Sequence, residues 1–216
     1  MTASDGRRVP AVTIARLPGY LRALDALAER GTATTSSAEL AVIAGVHPPL
    51  LRRDLSHLGS HGVRGVGYDV EHLRDQVAAA LGMTAEPAVV IVGVGHLGHA
   101  LANHLARAER TERGFRVVAL VDADPALVGQ EVAGLVVEPD ATLADVVARE
   151  GVRLAVLAVP AAVAQDVTDR LVAAGVTGVL SLVPAVLTVP DGVDVRSVDL
   201  AGQLQILAFH ERRKTR

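Results

Sequence analysis

A glycine pattern with the spacing of a dinucleotide-binding turn lies near the middle of the sequence. Gly93, Gly95 and Gly98 form the motif GxGxxG, and the positions between them are Val94, His96 and Leu97. In such a motif the first glycine permits a tight turn, the second lets a pyrophosphate approach the backbone, and the third allows close packing of helix on strand. An apolar run precedes the motif and a helical pattern follows it, which is the context that makes the motif specific. The pattern therefore predicts a pyrophosphate site at a helix N-terminus, where unpaired N–H groups favour an anion.

Two further residues lie at the ends of apolar runs that read as strands. Asp122 ends the run FRVVALVD, about 24 residues after Gly98, close to the spacing of an acid that binds ribose hydroxyls. A carboxylate there would repel a 2′-phosphate, so the sequence predicts NAD(H) rather than NADP(H). Pro160 ends another run, at the edge of the sheet where ligands of doubly wound folds bind. The alternatives are that the glycine turn only packs and binds no ligand, and that Pro160 only ends a strand.

A second group of polar residues lies on one helix in the first third of the chain. A helix beginning at Ser36, a turn containing Gly45 and a helix beginning at Pro48 form a helix-turn-helix pattern. The second helix carries four polar side chains that could enter a major groove: Arg52, Arg53, Ser56 and His57. The glycines and β-branched residues that follow predict a hairpin wing, in which Arg64 could reach a minor groove. On composition alone, a solvated helix face on a structural domain is the competing interpretation.

Composition limits the classes of protein to consider. The chain has 216 residues, half of them apolar but only 2% aromatic, so its core must consist of Ala, Val and Leu. It has no cysteine, which excludes disulfides and thiolate chemistry and suits a reducing cytoplasm. No apolar run approaches the ~18 residues of a membrane span, and the first residues lack a signal peptide's apolar core. The net charge is −3, but the stretch up to Arg64 is about +3, which permits DNA binding there.

The elements that must position these residues follow from periodicity. Helical spacing of leucines predicts a helix from about Ile14 to Arg30, and apolar runs alternating with helices from Ala88 onward predict a parallel sheet. The fold class is therefore α/β, with an N-terminal winged helix-turn-helix followed by a Rossmann-like domain and a C-terminal helix. We place the boundaries at 1–83 for the winged helix, 84–198 for the Rossmann domain and 199–216 for the final helix.

Taken together, the two halves resemble the Rex family of redox-sensing transcriptional repressors. The resemblance covers about Val9 to His210 and is most specific in these stretches: VPAVTIARLPGYLRAL, TSSAELA, LLRRDLSHLGSHGVRGVGYDV, VIVGVGHLGHALAN, VDADPALVG, DRLVAAGVTGVL and VDLAGQLQILAFH. It implies a homodimer whose C-terminal helices are swapped between subunits. It also implies that the dimer binds an inverted-repeat operator, that NADH releases the DNA, and that NAD+ competes for the same site.

The resemblance also assigns roles to individual residues. It places Arg52, Arg53, Ser56 and His57 in the recognition helix, Arg64 in the wing and Arg16 near the DNA backbone. Arg22 and Asp199 match a charged pair that couples the two domains across the dimer. The resemblance also favours a contact between Pro160 and the cofactor. The sequence departs from the family pattern at His104, where many members have a tyrosine of that network. It also departs at Leu200, at His57 and at Ser181–Pro184, which replaces a commoner Asn-Phe-Ala-Pro.

Two other classes of function compete with a repressor. A small NAD-dependent dehydrogenase would need a substrate domain and an acid or base near the nicotinamide, but only ~20 residues follow the Rossmann segment. A CoA-binding ligase fragment shares the sheet topology but would not account for the winged helix. We therefore predict no catalytic residue. We also predict no metal, because His96, His99 and His104 lack further ligands, and a cytoplasmic location away from membranes.

Overall fold

The computed structural model describes residues 9–60, 62–63, 65–109 and 115–214. The chain divides into two compact units, one up to Ala85 and one from Glu86 onward. The sequence places this boundary between residues 83 and 84 and treats 199–216 as a separate segment, whereas the structure groups that segment with the second unit. Among the described helices, none is long and apolar enough to cross a membrane.

The first unit contains five α-helices and a two-stranded sheet within its described residues. They are α1 (Ala11–Ile14), α2 (Leu17–Ala28), β1 (Thr34–Thr35), α3 (Ser37–Ile43), α4 (Pro48–Ser56), β2 (Tyr68–Asp69) and α5 (Val70–Ala80). The core consists of the apolar faces of these helices, including Leu24, Leu40, Leu51, Leu55 and Leu73, each with at most 1% of its surface exposed. Helices α3 and α4 form the helix-turn-helix, with Ser36 capping α3 through the Glu39 N–H.

The predicted helix from Ile14 to Arg30 is two helices in the structure. The break falls at Ala15 and Arg16, and α2 begins at Leu17 with Pro18 in its first turn. Proline suits that position because it has no N–H to donate to a preceding turn. The break matters for the site, because it lets Arg16 lie between two helices instead of within one.

The predicted wing is a short hairpin-like turn. Val63 pairs with Gly67 in an antiparallel bridge, and β2 pairs antiparallel with β1. Gly67 has φ of +100°, and a Cβ there would overlap the carbonyl oxygen of Thr35, so this close approach requires glycine. Arg64, the predicted wing arginine, lies outside the described residues.

The second unit is a seven-stranded sheet with helices packed on it. Its strands are β3 (Ala88–Val92), β4 (Arg116–Asp122), β5 (Glu131–Val132), β6 (Leu135–Pro139), β7 (Leu154–Leu157), β8 (Gly178–Ser181) and β9 (Asp194–Ser197). Its helices are α6 (His96–Glu109), α7 (Leu143–Glu150), α8 (Ala164–Ala173) and α9 (Leu200–Lys214). Strands β3, β4 and β7 are almost wholly apolar because both faces of the sheet are covered.

The strand order β5-β6-β4-β3-β7-β8-β9 defines the topology. All pairings are parallel except that of the short edge strand β5. Without β5, the order is that of a Rossmann fold, and the strand order reverses at β3, between β4 and β7. The predicted Rossmann sheet is confirmed. The sequence reading missed β5, β6 and α7, because the stretch from Glu131 to Glu150 has short apolar runs interrupted by a tight turn at Gly134.

Candidate cofactor site and DNA-binding surface

A cavity of about 600 Å³ opens at the carboxyl ends of β3, β4 and β7, where the strand order reverses. Ligands of doubly wound sheets bind at this position, and the volume suits a small-molecule ligand. The cavity is lined by Val92, Gly93, Gly95, His96, Leu97, Asp122, Ala123, Asp124, Leu127, Asp140, Ala158, Val159, Pro160, Val163, Asp166, Val167 and Arg170.

The three glycines of the motif have three different surroundings. Gly93 has φ of +92°, and a Cβ there would overlap the carbonyl oxygen of Ala158. At Gly98 a Cβ would overlap the carbonyl oxygen of Gly93, so α6 can pack against the turn only without a side chain. At Gly95 a Cβ would meet nothing within 4 Å. The first and third glycines thus serve packing, whereas the second faces open space.

This open space is what a bound dinucleotide requires. Gly95 is exposed and lines the cavity next to the first turn of α6. A pyrophosphate placed there would face backbone N–H groups and the positive end of the α6 dipole. The residues present therefore fit a nicotinamide dinucleotide, which Gly95, His96 and the α6 N-terminus would hold at its pyrophosphate.

Asp122 ends β4 with its side chain fixed by the backbone around it. One carboxylate oxygen accepts the Val94 N–H at 2.5 Å and the other accepts the Asp124 N–H at 2.8 Å. A carboxylate has about four acceptor positions, so each oxygen keeps room for a ribose hydroxyl. The same side chain thus shapes the glycine turn and presents acceptors to the cavity.

Negative charge dominates the cavity lining. Asp122, Asp124, Asp140 and Asp166 line it, together with the guanidinium of Arg170. Arg170 donates to the Asp140 carboxylate and to the Asp140 carbonyl oxygen, both at 2.7 Å. Because this arginine is already paired, the lining offers a poor environment for an additional phosphate on the ribose.

The cavity contains most of the residues predicted for cofactor binding, and others besides. Gly93, Gly95, His96, Leu97, Asp122 and Pro160 line it. Val94 is buried and contributes its N–H to Asp122, and Gly98 packs behind the turn. Sequence reasoning missed the face formed by Val163, which precedes α8, and by Asp166, Val167 and Arg170 of α8. Their i, i+3, i+4, i+7 spacing marks one helix face, but nothing in the sequence says that this face meets the glycine turn.

The candidate DNA surface is the outer face of α4. Leu51, Asp54 and Leu55 are buried, whereas Arg52, Arg53 and Ser56 are exposed and His57 is half-buried. Arg52 donates to the Ser37 hydroxyl at 3.1 Å, and the Ser56 hydroxyl donates to the Arg53 carbonyl oxygen at 2.6 Å. Arg52 is therefore directed toward the start of α3, whereas Arg53 is exposed on the same helix.

A second cavity, of about 510 Å³, lies beside Arg52. It is lined by Ser36, Ser37, Arg52, Ser60, Gly62, Val63, Gly65, Val66, Gly67 and Tyr68. Among the described residues of this lining there are one cation, several hydroxyl groups and no carboxylate. Its polarity is therefore opposite to that of the cofactor cavity and suits an anion such as a phosphodiester.

The remaining predicted residues occupy varied environments. Arg22 is exposed on α2, and His104 is exposed on α6. Asp199 caps α9 by accepting the Gly202 N–H at 2.8 Å. Arg16, which is expected near a DNA backbone, donates to the buried carboxylate of Asp54 at 2.6 and 2.7 Å. No group of three or more metal-ligating side chains occurs in the described part of the chain.

Helix α9 is confirmed at the predicted position and has no buried residue. Its apolar side chains are more than half exposed: Leu200, Leu204, Ile206, Leu207 and Phe209. Isolated exposed apolar residues are normal, but a row of them on one helix marks an interaction surface.

A helix-turn-helix unit joined to a Rossmann unit with a dinucleotide cavity defines a ligand-responsive DNA-binding protein. Family models match both parts: "Putative DNA-binding protein N-terminus" matches residues 8–56, and "CoA binding domain" matches residues 84–185. The chain is 58% identical to the redox-sensing transcriptional repressor Rex of Streptomyces avermitilis, over 98% of this chain and 83% of that protein. It is 44% identical to Rex of Carboxydothermus hydrogenoformans, over 96% of this chain and 99% of that protein. The chain therefore belongs to the Rex family of redox-sensing transcriptional repressors.

Solved structures agree over nearly the whole chain. The crystal structure of RSP, a Rex-family repressor, in complex with β-NAD+ and operator DNA has a TM-score of 0.88 and 32% identity, covering 97% of this chain and 95% of that chain. The structure of RSP in complex with β-NADH has a TM-score of 0.85 and 31% identity, covering 97% of each chain. The predicted fold class and family are thus confirmed.

Proposed function

We propose that this chain is a homodimeric repressor that binds inverted-repeat operator DNA and is released from it by NADH. The single observation that carries the proposal is the presence of a dinucleotide cavity and a cationic helix-turn-helix face in one chain of this family. Each half of the proposal is supported by its own residues.

The DNA-binding half is supported by the charge and exposure of α4. Arg52 and Arg53 are exposed on the helix that follows the turn. An arginine pairs bidentately with guanine in the major groove, and each good pair contributes about 1–3 kcal/mol of discrimination. We assign base reading to Arg53 and a backbone phosphate to Arg52. Arg52 lines the second cavity beside Ser37, and none of the described residues of that lining is acidic.

The cofactor half is supported by the cavity at the glycine turn. We assign the pyrophosphate to Gly95 and the first turn of α6, and the adenosine ribose to Asp122. NADH and NAD+ differ only in the redox state of the nicotinamide ring. The chain's own carboxylates select against NADP(H), so Asp122→Ala should weaken NADH binding and narrow the preference for NADH over NADPH. Equal binding of the two cofactors by the unmodified protein would contradict the role of Asp122.

The homodimer is supported by the uncovered apolar side chains of α9. Helix exchange between two copies would bury them, and an inverted-repeat operator matches the two-fold symmetry of such a dimer. NADH then acts by binding one arrangement of the dimer better than the other. We predict that Arg22 and Asp199 couple the two domains. His104 stands where many family members have a tyrosine of the same network. Asp199→Ala should therefore bind operator but release it poorly with NADH.

We further propose that the protein is not an enzyme and acts in the cytoplasm. The relatives from Streptomyces avermitilis and Carboxydothermus hydrogenoformans are both named as transcriptional repressors, which supports a role without catalysis. A cytoplasmic location follows from the two proposed ligands, chromosomal DNA and NADH. Purified protein incubated with NADH and common carbonyl or hydroxy-acid substrates should show no oxidation of NADH at 340 nm.

Titration of DNA binding with cofactor tests the main proposal. Duplexes selected from a random-sequence pool by the purified protein should be inverted repeats whose half-sites are separated by about one helical turn or a multiple. NADH should release the selected duplex at concentrations where NAD+ and NADPH do not. Binding without two-fold symmetry, or release by NAD+ as readily as by NADH, would contradict it.

A further inference from the structure

The recognition helix carries a buried carboxylate on the side opposite its DNA-facing arginines. Asp54 lies in the last turn of α4 with only 1% of its surface exposed. Four hydrogen bonds converge on it: from the Thr13 hydroxyl at 2.9 Å, from Arg16 Nε at 2.6 Å, from Arg16 Nη2 at 2.7 Å and from the Tyr20 hydroxyl at 2.6 Å. We call these four residues the Asp54 cluster.

The electrostatics of the Asp54 cluster show that the carboxylate is ionised. Burial alone would raise the pKa of Asp54, but hydrogen bonds from Arg16, Tyr20 and Thr13 outweigh it and hold the pKa below its usual value. The hydrogen bond to Asp54 raises the pKa of the Arg16 guanidinium further. A bidentate arginine–carboxylate pair fixes both partners in direction as well as distance.

The donors come from separate elements, which is why the cluster can orient α4. Thr13 lies in α1, Arg16 between α1 and α2, and Tyr20 in α2. Leu51, one turn before Asp54, and Leu55, directly after it, pack in the core and set which face of α4 is buried. Polar contacts of fixed distance and direction restrict rotation about the helix axis more narrowly. Because Arg53 directly precedes Asp54, any rotation of α4 that breaks the cluster also displaces Arg53.

We propose that Arg16 is a positioning residue: it sets the orientation of the recognition helix through Asp54 and does not act as a DNA phosphate contact. The proposal rests on the proposed DNA-binding function of α4. It differs from the sequence-based expectation, which places Arg16 at the DNA backbone. The same logic makes Tyr20 and Thr13 secondary members of the positioning cluster.

Salt dependence of DNA binding separates a positioning residue from a phosphate contact. The plot of log K against log salt has a negative slope, and each lost phosphate contact makes that slope shallower by about 0.9. We expect Arg16→Gln to lower affinity for the selected operator by about tenfold or more, the scale of one lost base contact, with an unchanged slope. Affinity for a random-sequence duplex of equal length should stay the same. Arg52→Ala, the matched comparison, should lower both affinities and reduce the slope by about 0.9.

Further variants keep the test valid if Arg16→Gln is unstable. Arg16→Lys retains the charge but lacks the planar guanidinium that donates two hydrogen bonds to Asp54, and Tyr20→Phe removes a single hydrogen bond. Both variants should lose less operator preference than Arg16→Gln, and the slope of log K against log salt should be unchanged in both. Circular dichroism and tyrosine fluorescence follow folding of the first unit, which contains both tyrosines of the chain, Tyr20 and Tyr68.

A double-mutant cycle supplies the decisive measurement. If Arg16 acts through the orientation of Arg53, the double variant Arg16→Gln/Arg53→Ala should bind operator hardly more weakly than Arg53→Ala. Additive losses, a reduced salt slope in Arg16→Gln, or full operator affinity in that variant would each overturn the proposal. Failure of the unmodified protein to bind any selected duplex would instead overturn the DNA-binding function itself.

Discussion

At the scale of single residues, the glycine motif divides into packing positions and a ligand position. A Cβ at Gly98 would overlap the Gly93 carbonyl oxygen, whereas one at Gly95 would enter open space. Replacement at the two positions should therefore have opposite consequences for folding and binding. Sequence alone treats the three glycines as one motif, and only the packing around them separates their roles.

We predict that Gly95→Val leaves the thermal stability of the second unit nearly unchanged but abolishes NADH binding, because its side chain fills the space assigned to the pyrophosphate. Gly98→Ala should destabilise the fold by about 1–3 kcal/mol, the usual cost of overpacking. Thermal unfolding and NADH titration by calorimetry measure both effects. A Gly95→Val protein that binds NADH normally would place the pyrophosphate elsewhere.

Tyr20 makes the stability of the first unit sensitive to alkaline pH. Burial and the hydrogen bond to Asp54 raise the pKa of Tyr20 to about 12, whereas an unfolded tyrosine ionises near pH 10. The folded state therefore retains a proton that the unfolded state loses. Its contribution to the free energy of unfolding is full below about pH 10 and falls as the pH rises toward 12.

We accordingly predict that the unmodified protein loses stability more steeply between about pH 10 and 12 than Tyr20→Phe, which has no proton to release. Urea unfolding followed by far-ultraviolet circular dichroism at several pH values measures the difference. Parallel pH profiles for the two proteins would show that Tyr20 is not the titrating group. Tyr68→Phe is the matched control and should keep the steep profile.

At the scale of elements, short polar contacts decide where helices begin. Asp69 precedes α5 and accepts the His72 N–H at 2.8 Å, so it satisfies one of the unpaired donors of the first turn. A carboxylate there also interacts favourably with the helix dipole. Because α5 packs on α2 in the core of the first unit, this cap contributes to the stability of the whole unit.

We predict that Asp69→Ala lowers the free energy of unfolding of the first unit by about 1 kcal/mol, whereas Asp69→Asn, which retains an acceptor, costs much less. Tyrosine fluorescence in urea reports this unit selectively, because both tyrosines lie in it and the chain has no tryptophan. Equal losses for the two variants would assign the effect to charge and not to the cap.

At the scale of the whole molecule, α9 is the element whose apolar surface the single chain leaves uncovered.

We predict that Leu204→Glu/Leu207→Glu shifts the protein from dimer to monomer, because two charges would have to be buried in the helix exchange. Multi-angle light scattering measures the mass in solution, and operator affinity should fall with it. Gln205→Glu, an exposed polar position on the same helix, is the matched control and should stay dimeric. A dimeric Leu204→Glu/Leu207→Glu protein would place the subunit interface elsewhere.

Sequence patterns were enough to predict the class of fold, the glycine turn, the acid at the end of the second strand (Asp122) and the arginine-bearing helix α4. These features are local: a strand, a turn and a helix follow one another in the chain, so spacing and residue type suffice to identify them. The family resemblance rests on the same local stretches.

Which distant residues share a site depends on tertiary packing and could not be predicted from local patterns. The α8 face at the cofactor cavity meets the glycine turn because β3 and β7 are neighbours in the sheet, a pairing between strands more than 60 residues apart. Likewise, Arg16 and Asp54 are separated by 38 positions, and nothing in either local pattern predicts their ion pair. Local periodicity determines an element and its buried face, but the partner of that face depends on how the whole chain packs.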